Sequence, residues 1–133
     1  MDYKELLSLA VKARESAYAP YSQFRVGAAL LAKSGKVYMG SNIENAAYSP
    51  SICAERVAFA KAVSEGEREF EAIAIVGGKQ ELAPLCAPCG VCRQVMAEFC
   101  GKDFKIVLGD LKSHKTVNLE EILPLAFTND DLK

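Results

Sequence analysis

The chain has 133 residues, of which 50% are hydrophobic and 25% are charged, and it carries a formal net charge of −1. Its Lys and Arg residues are scattered, which excludes the basic stripe that polynucleotide binding requires and favours a small ligand. A chain of this length forms one domain, so we expect a single domain over residues 1–133. No apolar run is long enough to span a membrane, and the N-terminus does not resemble a signal peptide, so we expect the protein to be cytoplasmic.

The first 50 residues predict a helix followed by a β-hairpin. Apolar residues recur at three and four positions from Asp2 to Tyr18, which predicts an amphipathic helix with Asp2 as its N-cap. A loop after Pro20 leads to predicted strands from Arg25 to Ala32 and from Val37 to Asn42. The four residues between these strands include a glycine, so we expect an antiparallel pair.

Helices and strands alternate in the rest of the chain. The predicted elements are a helix from Ala54 to Val63, a strand from Ala72 to Val76, a helix from Pro88 to Phe99, a strand from Lys105 to Gly109, a short strand at Thr116 and Val117, and a helix from Leu119 to Leu123 capped by Asn118. The continuous apolar run from Ala72 to Val76 is typical of a strand buried on both faces. The sequence therefore predicts an α/β fold, a three-layer α/β/α sandwich whose mixed five-stranded sheet has an antiparallel hairpin at one edge.

Three cysteines and one glutamate form the pattern with the clearest chemistry. The chain has five cysteines, an odd number that in a reducing compartment indicates metal binding or catalysis rather than disulfides. Cys53 lies at the start of one predicted helix, with Glu55 two residues later. Cys89 and Cys92 lie in the first turn of another helix, which Pro88 is suited to begin. Three thiols and a neighbouring carboxylate predict a catalytic zinc site with an open position for water.

The negative charge of such a site requires compensation. Three thiolates on one zinc would make the metal a weak Lewis acid, and two helix N-termini offset part of that charge. Arg56 lies three residues after Cys53 and Arg93 adjoins Cys92, so either guanidinium could donate a hydrogen bond to a thiolate. Arg56 is the better candidate of the two.

Other interpretations of the thiols remain open. A C-x-x-C pair at a helix start also occurs in thioredoxin-like redox sites, although that interpretation leaves Cys53 and Glu55 without a role. Cys86 lies three residues before Cys89, so four thiols could close a structural, non-catalytic zinc module. Against this module, the Ala87-Pro88 link is stiff and a closed site has no use for Glu55.

Two further residues with reactive side chains have ordinary explanations. Cys100 falls on the apolar face of its predicted helix, where it most simply packs in the core. His114, between a serine and a lysine, is predicted to be a solvated turn residue.

The motifs resemble those of a known family. Cys53-Ala54-Glu55 followed by Pro88-Cys89-Gly90-Val91-Cys92 matches the three-cysteine form of the signature of zinc nucleobase deaminases. Three further stretches extend the match: Pro20-Tyr21-Ser22-x-Phe24-x-Val26-Gly27-Ala28-Ala29-Leu30, Gly40-x-Asn42-Ile43-Glu44-Asn45-Ala46 and Cys92-Arg93-Gln94-Val95. Over nearly its whole length, the chain resembles the small homotetrameric class of cytidine deaminases.

The resemblance implies roles at the metal. Cys53, Cys89 and Cys92 match the zinc ligands, and Glu55 matches the catalytic carboxylate. Arg56 matches the arginine that donates hydrogen bonds to the ligand thiolates. The chain departs from the family pattern between Gln80 and Ala87, where Cys86 is an extra thiol.

The resemblance also implies a set of substrate contacts. Phe24 matches the aromatic residue that packs against the pyrimidine, and Asn42 and Glu44 match the side chains that hold the ribose hydroxyls. The backbone at Ala54 matches a contact to the base. Phe127 matches an aromatic residue that reaches the pocket of a neighbouring subunit.

The implied activity is hydrolytic deamination of cytidine and 2′-deoxycytidine, a reaction of pyrimidine salvage. Zinc is the implied cofactor, Glu55 carries protons to and from the base, and a homotetramer shares its active sites between subunits. A deaminase for another aminopyrimidine nucleoside, such as an antibiotic, is the alternative within the same class.

Overall fold

The structure, a computed structural model that describes all residues from 1 to 133, is organised around one five-stranded sheet. Its strands are β1 (Arg25–Ala32), β2 (Val37–Ser41), β3 (Phe70–Gly78), β4 (Lys105–Gly109) and β5 (His114–Asn118). They lie in the order β2-β1-β3-β4-β5, and the β3–β4 pair is parallel while the others are antiparallel. The predicted hairpin at one edge and the mixed sheet are both confirmed.

Helices cover both faces of this sheet. They are α1 (Tyr3–Arg14), α2 (Ala54–Ser64), α3 (Gly90–Phe99) and α4 (Leu119–Ile122), with a short 3₁₀ turn at Asn129–Leu132. The apolar side chains of α1 pack on one face against Ala29, Leu31 and Val76. Those of α2 and α3 pack on the opposite face in a larger cluster with Ile73 and Ile75. The three-layer α/β/α sandwich is therefore confirmed, with β3 buried on both faces as predicted.

Both ends of α1 have a clear physical cause. Asp2 is the N-cap, and its Oδ1 atom accepts a hydrogen bond from the Lys4 backbone N–H at 3.0 Å, as predicted. The helix ends at Arg14 rather than at Tyr18 because the following segment pairs elsewhere. The Tyr18 N–H donates to the Asn42 carbonyl at 2.9 Å, and the Tyr18 carbonyl accepts from the Glu44 N–H at 2.8 Å.

The start of α3 also differs from the prediction. The helix begins at Gly90, not at Pro88, because Cys89 has extended backbone angles (φ −67°, ψ 167°) and is the N-cap. Cys92 therefore lies in the first turn while Cys89 lies just outside it. Cys53 is likewise the extended N-cap of α2, and neither cysteine side chain caps its helix. Two helices thus begin at cysteines whose sulfurs are free for another partner.

The C-terminal part extends what the sequence predicts. The fifth strand runs from His114 to Asn118, so His114 lies in an exposed edge strand and its prediction as a turn residue is wrong. The Asn118 cap of α4 is confirmed, because its side chain and that of Glu121 form a reciprocal capping box. Cys100, half-buried, packs against the larger core cluster as expected.

A glycine in β2 determines how closely α2 approaches the sheet. A Cβ atom at Gly40 would collide with the Ala54 carbonyl oxygen and lie 2.7 Å from the Ala58 backbone nitrogen. Both atoms belong to the backbone of α2 and cannot move independently of the helix. The absence of a side chain at Gly40 therefore positions the N-terminus of α2, which carries Cys53 and Glu55.

None of the helices in the fold combines the length and apolar character that a membrane crossing requires.

Candidate active site

Three cysteine sulfurs meet where the N-termini of α2 and α3 converge. The Sγ atoms of Cys53, Cys89 and Cys92 all lie within 4.8 Å of one another, and those of Cys53 and Cys89 are 3.8 Å apart. Cys86 is outside this cluster, so the structure does not assemble the four-thiol module considered above. Three thiols at this spacing fit a tetrahedral zinc ion that keeps its fourth position for another ligand.

The protonation of the sulfurs is unequal. Hydrogen bonding from the Cys92 thiol is the largest of several contacts that lower the pKa of Cys53 to about 5. The pKa of Cys92 is raised, first because it donates that hydrogen bond and also because it is buried. One thiolate is therefore already stabilised, and a divalent cation would displace the remaining thiol protons on binding.

Glu55 is the one charged residue of the buried core. Its side chain is 4% exposed, and burial is the main reason that its pKa is raised to about 7. Because it follows Cys53 by two residues, it enters the site from the end of α2 rather than from its side. A buried carboxyl group that has no hydrogen-bonded partner of opposite charge is unusual in a core and is typical of a functional site.

Arg56 and Arg93 have different partners. The Nη2 atom of Arg56 donates to the Cys53 sulfur at 3.5 Å, and its Nε atom is buried without a hydrogen-bond partner. Arg93 instead donates to the Pro88 carbonyl at 2.8 Å and to the Ile122 carbonyl at 2.7 Å. Arg56 is thus the arginine that the structure places beside the sulfurs, where its charge offsets that of thiolates.

A cavity of about 340 Å³ opens over the sulfurs and Glu55. Its volume is in the range of small-molecule sites. The predicted site residues that line it are Phe24, Asn42, Glu44, Cys53, Ala54, Glu55, Arg56 and Cys89. Cys92 belongs to the sulfur cluster but is buried and does not line the cavity.

The sequence interpretation missed several residues of this cavity. The cavity is also lined by Val26, Ser51, Ile52, Cys86 and Ala87. Val26 lies in β1 and follows Phe24, the residue just before that strand, by two positions, so the alternation of side chains along an extended segment could have identified it. The others lie in loops and carry no comparable signal.

Gly77 allows the two sides of the cavity to meet. A Cβ atom at Gly77 would lie 2.6 Å from the Cys86 sulfur and 3.0 Å from the Phe24 ring. The sulfur therefore occupies the space beside the glycine, next to the ring. Burial raises the pKa of the Cys86 thiol to about 11, so it is neutral at physiological pH.

Asn42 and Glu44 are both engaged with the backbone. The Oδ1 atom of Asn42 accepts from the Val26 N–H, and its Nδ2 atom donates to the Phe24 carbonyl, both at 2.8 Å. The Glu44 carboxylate accepts from the N–H groups of Tyr21 and Ser22 at 2.9 and 3.1 Å and from the Ser22 hydroxyl. Hydrogen bonding from Ser22 lowers the pKa of Glu44, so the carboxylate is charged. Each side chain keeps unused hydrogen-bonding capacity toward the cavity.

Phe127 does not line the cavity of its own chain. Its side chain is 62% exposed, and its carbonyl accepts a hydrogen bond from the Gln94 side chain at 2.8 Å.

Comparisons with known proteins match both the fold and the site. A family model described as the cytidine and deoxycytidylate deaminase zinc-binding region matches residues 1–108. A cytidine deaminase from Halalkalibacterium halodurans is 51% identical over 133 residues, which are 99% of this chain and 98% of that protein. The crystal structure of cytidine deaminase from Burkholderia pseudomallei superposes with a TM-score of 0.88 at 45% identity, covering 96% of this chain and 100% of its own.

A relative that is named for a different substrate is more distant. A blasticidin-S deaminase from Bacillus cereus is 29% identical over 114 residues, covering 82% of this chain and 81% of that protein. The matches together define a hydrolytic enzyme that uses zinc, and the three-thiol cluster fits that metal. The chain belongs to the cytidine and deoxycytidylate deaminase family.

Proposed function

We propose that the protein catalyses the hydrolytic deamination of cytidine and 2′-deoxycytidine to uridine and 2′-deoxyuridine, with release of ammonia. The observation that carries this proposal is Glu55, a buried carboxyl group beside three converging sulfurs at the end of a nucleoside-sized cavity. The curated relative that is 51% identical and bears the name cytidine deaminase supports the choice of substrate. The reaction belongs to pyrimidine salvage, and we place the enzyme in the cytoplasm.

Cys53, Cys89 and Cys92 would hold the zinc ion. When bound, zinc lowers the pKa of a coordinated water from about 16 toward 7, which makes a nucleophile available at neutral pH. Arg56 donates to the Cys53 sulfur and so withdraws negative charge from the ligand set. This contact preserves the strength of the metal as a Lewis acid.

Glu55 moves protons between water and the base. It accepts the proton that water loses and delivers it to N3 of cytosine, which makes C4 electrophilic. After the water oxygen has added at C4, Glu55 takes the proton of the new C4 hydroxyl and passes it to the amino group, so the C4–N4 bond breaks, ammonia leaves and the C4 carbonyl forms. Its burial keeps bulk water away from these transfers.

The rest of the cavity holds the nucleoside. Phe24 packs against the pyrimidine, the backbone at Ala54 contacts the base, and Asn42 and Glu44 bind the ribose hydroxyls. The charged Glu44 carboxylate opposes a phosphate at the sugar, so nucleosides are favoured over nucleotides and polymers. The proposal includes a homotetramer in which Phe127 completes the pocket of a neighbouring subunit.

The direct test is the loss of ultraviolet absorbance when purified protein is mixed with cytidine, deoxycytidine, cytosine or CMP. We expect both nucleosides to be converted and CMP to be rejected. Glu55→Gln should keep its zinc and lose activity by at least about a hundredfold, because an amide cannot transfer the proton. Wild-type rates in this variant would contradict the role of Glu55.

A deaminase for another aminopyrimidine nucleoside is the second candidate. The 29% identity to a blasticidin-S deaminase favours it. Conversion of that antibiotic in the same assay, with no reaction of cytidine, would establish this alternative.

A further inference from the structure

Arg14, the last residue of α1, makes contacts that the proposed mechanism does not use. Its side chain is half-buried and lies outside the cavity. We propose that Arg14 is a positioning residue that fixes the distance between two walls of the nucleoside cavity. This inference rests on the proposed function.

The guanidinium of Arg14 joins two segments of the sheet. Its Nε atom donates to the Arg25 carbonyl at 3.0 Å, at the start of β1. Its Nη2 atom donates to three successive carbonyls at the exit of β3: Gly78 at 2.8 Å, Lys79 at 3.1 Å and Gln80 at 3.2 Å. The planar guanidinium of Arg14 therefore holds the start of β1 and the exit of β3 in a fixed relative position.

The first of these segments adjoins one wall of the cavity, and the second leads within six residues to the other wall. Phe24, which lines the first wall, immediately precedes Arg25. The chain beyond Gln80 runs to Cys86 and Ala87, which line the second wall. The walls touch at Gly77, beside both the Phe24 ring and the Cys86 sulfur. A small change in separation at the arginine is therefore transmitted to the place where the pyrimidine lies.

All four acceptors of Arg14 are carbonyl oxygens, and no carboxylate pairs with it. Hydrogen bonds from a charged donor are stronger than neutral ones, so the cluster of carbonyls is held firmly. In the reverse direction, the Nη2 atom of Arg25 donates hydrogen bonds to the Arg14 and Glu15 carbonyls at 3.2 and 2.8 Å, which fixes the end of α1. Loss of the Arg14 guanidinium would leave the carbonyls of Gly78, Lys79 and Gln80 without this common donor, while the hydrogen bonds donated by Arg25 remain.

The test replaces Arg14 by Gln and measures kcat and KM for cytidine together with zinc content. We expect KM to rise about tenfold while kcat changes by less than about threefold, because the binding walls shift and the reacting groups do not. Arg68→Gln is the matched control. Arg68 donates to the Val63 and Glu67 carbonyls, both at 2.8 Å, far from the cavity. This control should leave KM unchanged.

A purely structural role would give another result. Arg14→Gln would then lower thermal stability and the active fraction, with KM equal to that of wild type, and the proposal would be wrong. Arg14→Lys, which keeps the charge but reaches fewer carbonyls, should have a KM between those of wild type and Arg14→Gln. If Arg14→Gln does not fold, Arg14→Lys replaces it in the test: a raised KM supports the proposal, and a KM equal to that of wild type contradicts it. Methylguanidinium should lower the KM of Arg14→Gln and leave Arg68→Gln unaffected. If wild type and Arg68→Gln do not convert cytidine, the proposed function itself has failed.

Discussion

Cys86 and Cys89 provide a matched pair for testing the metal site one residue at a time. Cys89 lies 3.8 Å from Cys53 between sulfurs, whereas Cys86 lines the same cavity outside the thiol cluster. We expect Cys89→Ser to lose its zinc, because a hydroxyl is a much poorer ligand than a thiolate. Cys86→Ser should keep one zinc per chain.

The measurement is zinc content by atomic spectroscopy after gel filtration, with the folded state of each variant checked by circular dichroism. If Cys86→Ser loses as much zinc as Cys89→Ser, the result would support the four-thiol site over the three-thiol site. If neither releases metal, the ligand set proposed here is wrong.

At the scale of single residues, the sequence predicts the role of a side chain when its partners are other side chains at a recognisable spacing, and not when its partners are backbone groups. Cys53 and Glu55 are two residues apart and Cys89 and Cys92 are three apart, so local geometry places each pair at one helix start. The meeting of the two pairs depends on the convergence of α2 and α3, which the resemblance to a family implied and the spacing alone did not. The contacts of Asn42 and Arg14 are with backbone carbonyl and N–H groups far along the chain, and such groups have no sequence signature. Arg14 in particular reads as an ordinary basic residue in the last turn of a helix.

At the scale of elements, Gly40 tests whether the approach of α2 to β2 positions the site. Gly40→Ala introduces a Cβ into the backbone of α2, at the hydrogen-bonded turn between Ala54 and Ala58. We expect a loss of about 2 kcal/mol or more in the free energy of unfolding, since neither backbone can yield separately. Activity should fall together with stability, because Cys53 and Glu55 move with the helix. Urea unfolding and the cytidine assay measure the two effects.

Gly90 is the control for this substitution. A Cβ at Gly90 meets nothing within 4 Å, and the residue begins α3. Gly90→Ala should therefore be neutral or slightly stabilising in the same unfolding experiment. Equal stability of the two alanine variants would show that contact at Gly40 does not hold α2 in place.

The elements themselves were largely predictable. The strands β1 and β4 have the bounds that apolar runs and turn residues indicate. The errors occur at ends that depend on distant partners. α1 stops early because Tyr18 bonds to the chain beyond β2, and β5 extends to His114 because β4 pairs with it. Periodicity within one segment does not report such pairing.

At the scale of the whole molecule, Phe127 tests whether subunits share their active sites. The ring is 62% exposed and no wall of its own cavity includes it. We expect Phe127→Ala to lower kcat/KM for cytidine while sedimentation still shows a tetramer. Mixed tetramers of Phe127→Ala and Glu55→Gln chains should regain activity, because some sites combine Glu55 from one chain with Phe127 from its neighbour. After random exchange about one site in four meets this condition.

The control for the mixing experiment is each variant carried alone through the same exchange. Activity of the mixture equal to the average of the two separate variants would mean that no residue crosses between subunits. A monomer in sedimentation would contradict the tetramer directly.

The contact at Gly77 has a consequence for how this pocket can change over evolutionary time. The Cys86 sulfur fills the volume that a side chain at position 77 would need, so the two positions share one space. A Cβ at position 77 must displace the Cys86 sulfur and also lies 3.0 Å from the Phe24 ring, and a smaller residue at position 86 removes the first of these two contacts. The cost of a substitution at position 77 therefore depends on which residue already stands at position 86.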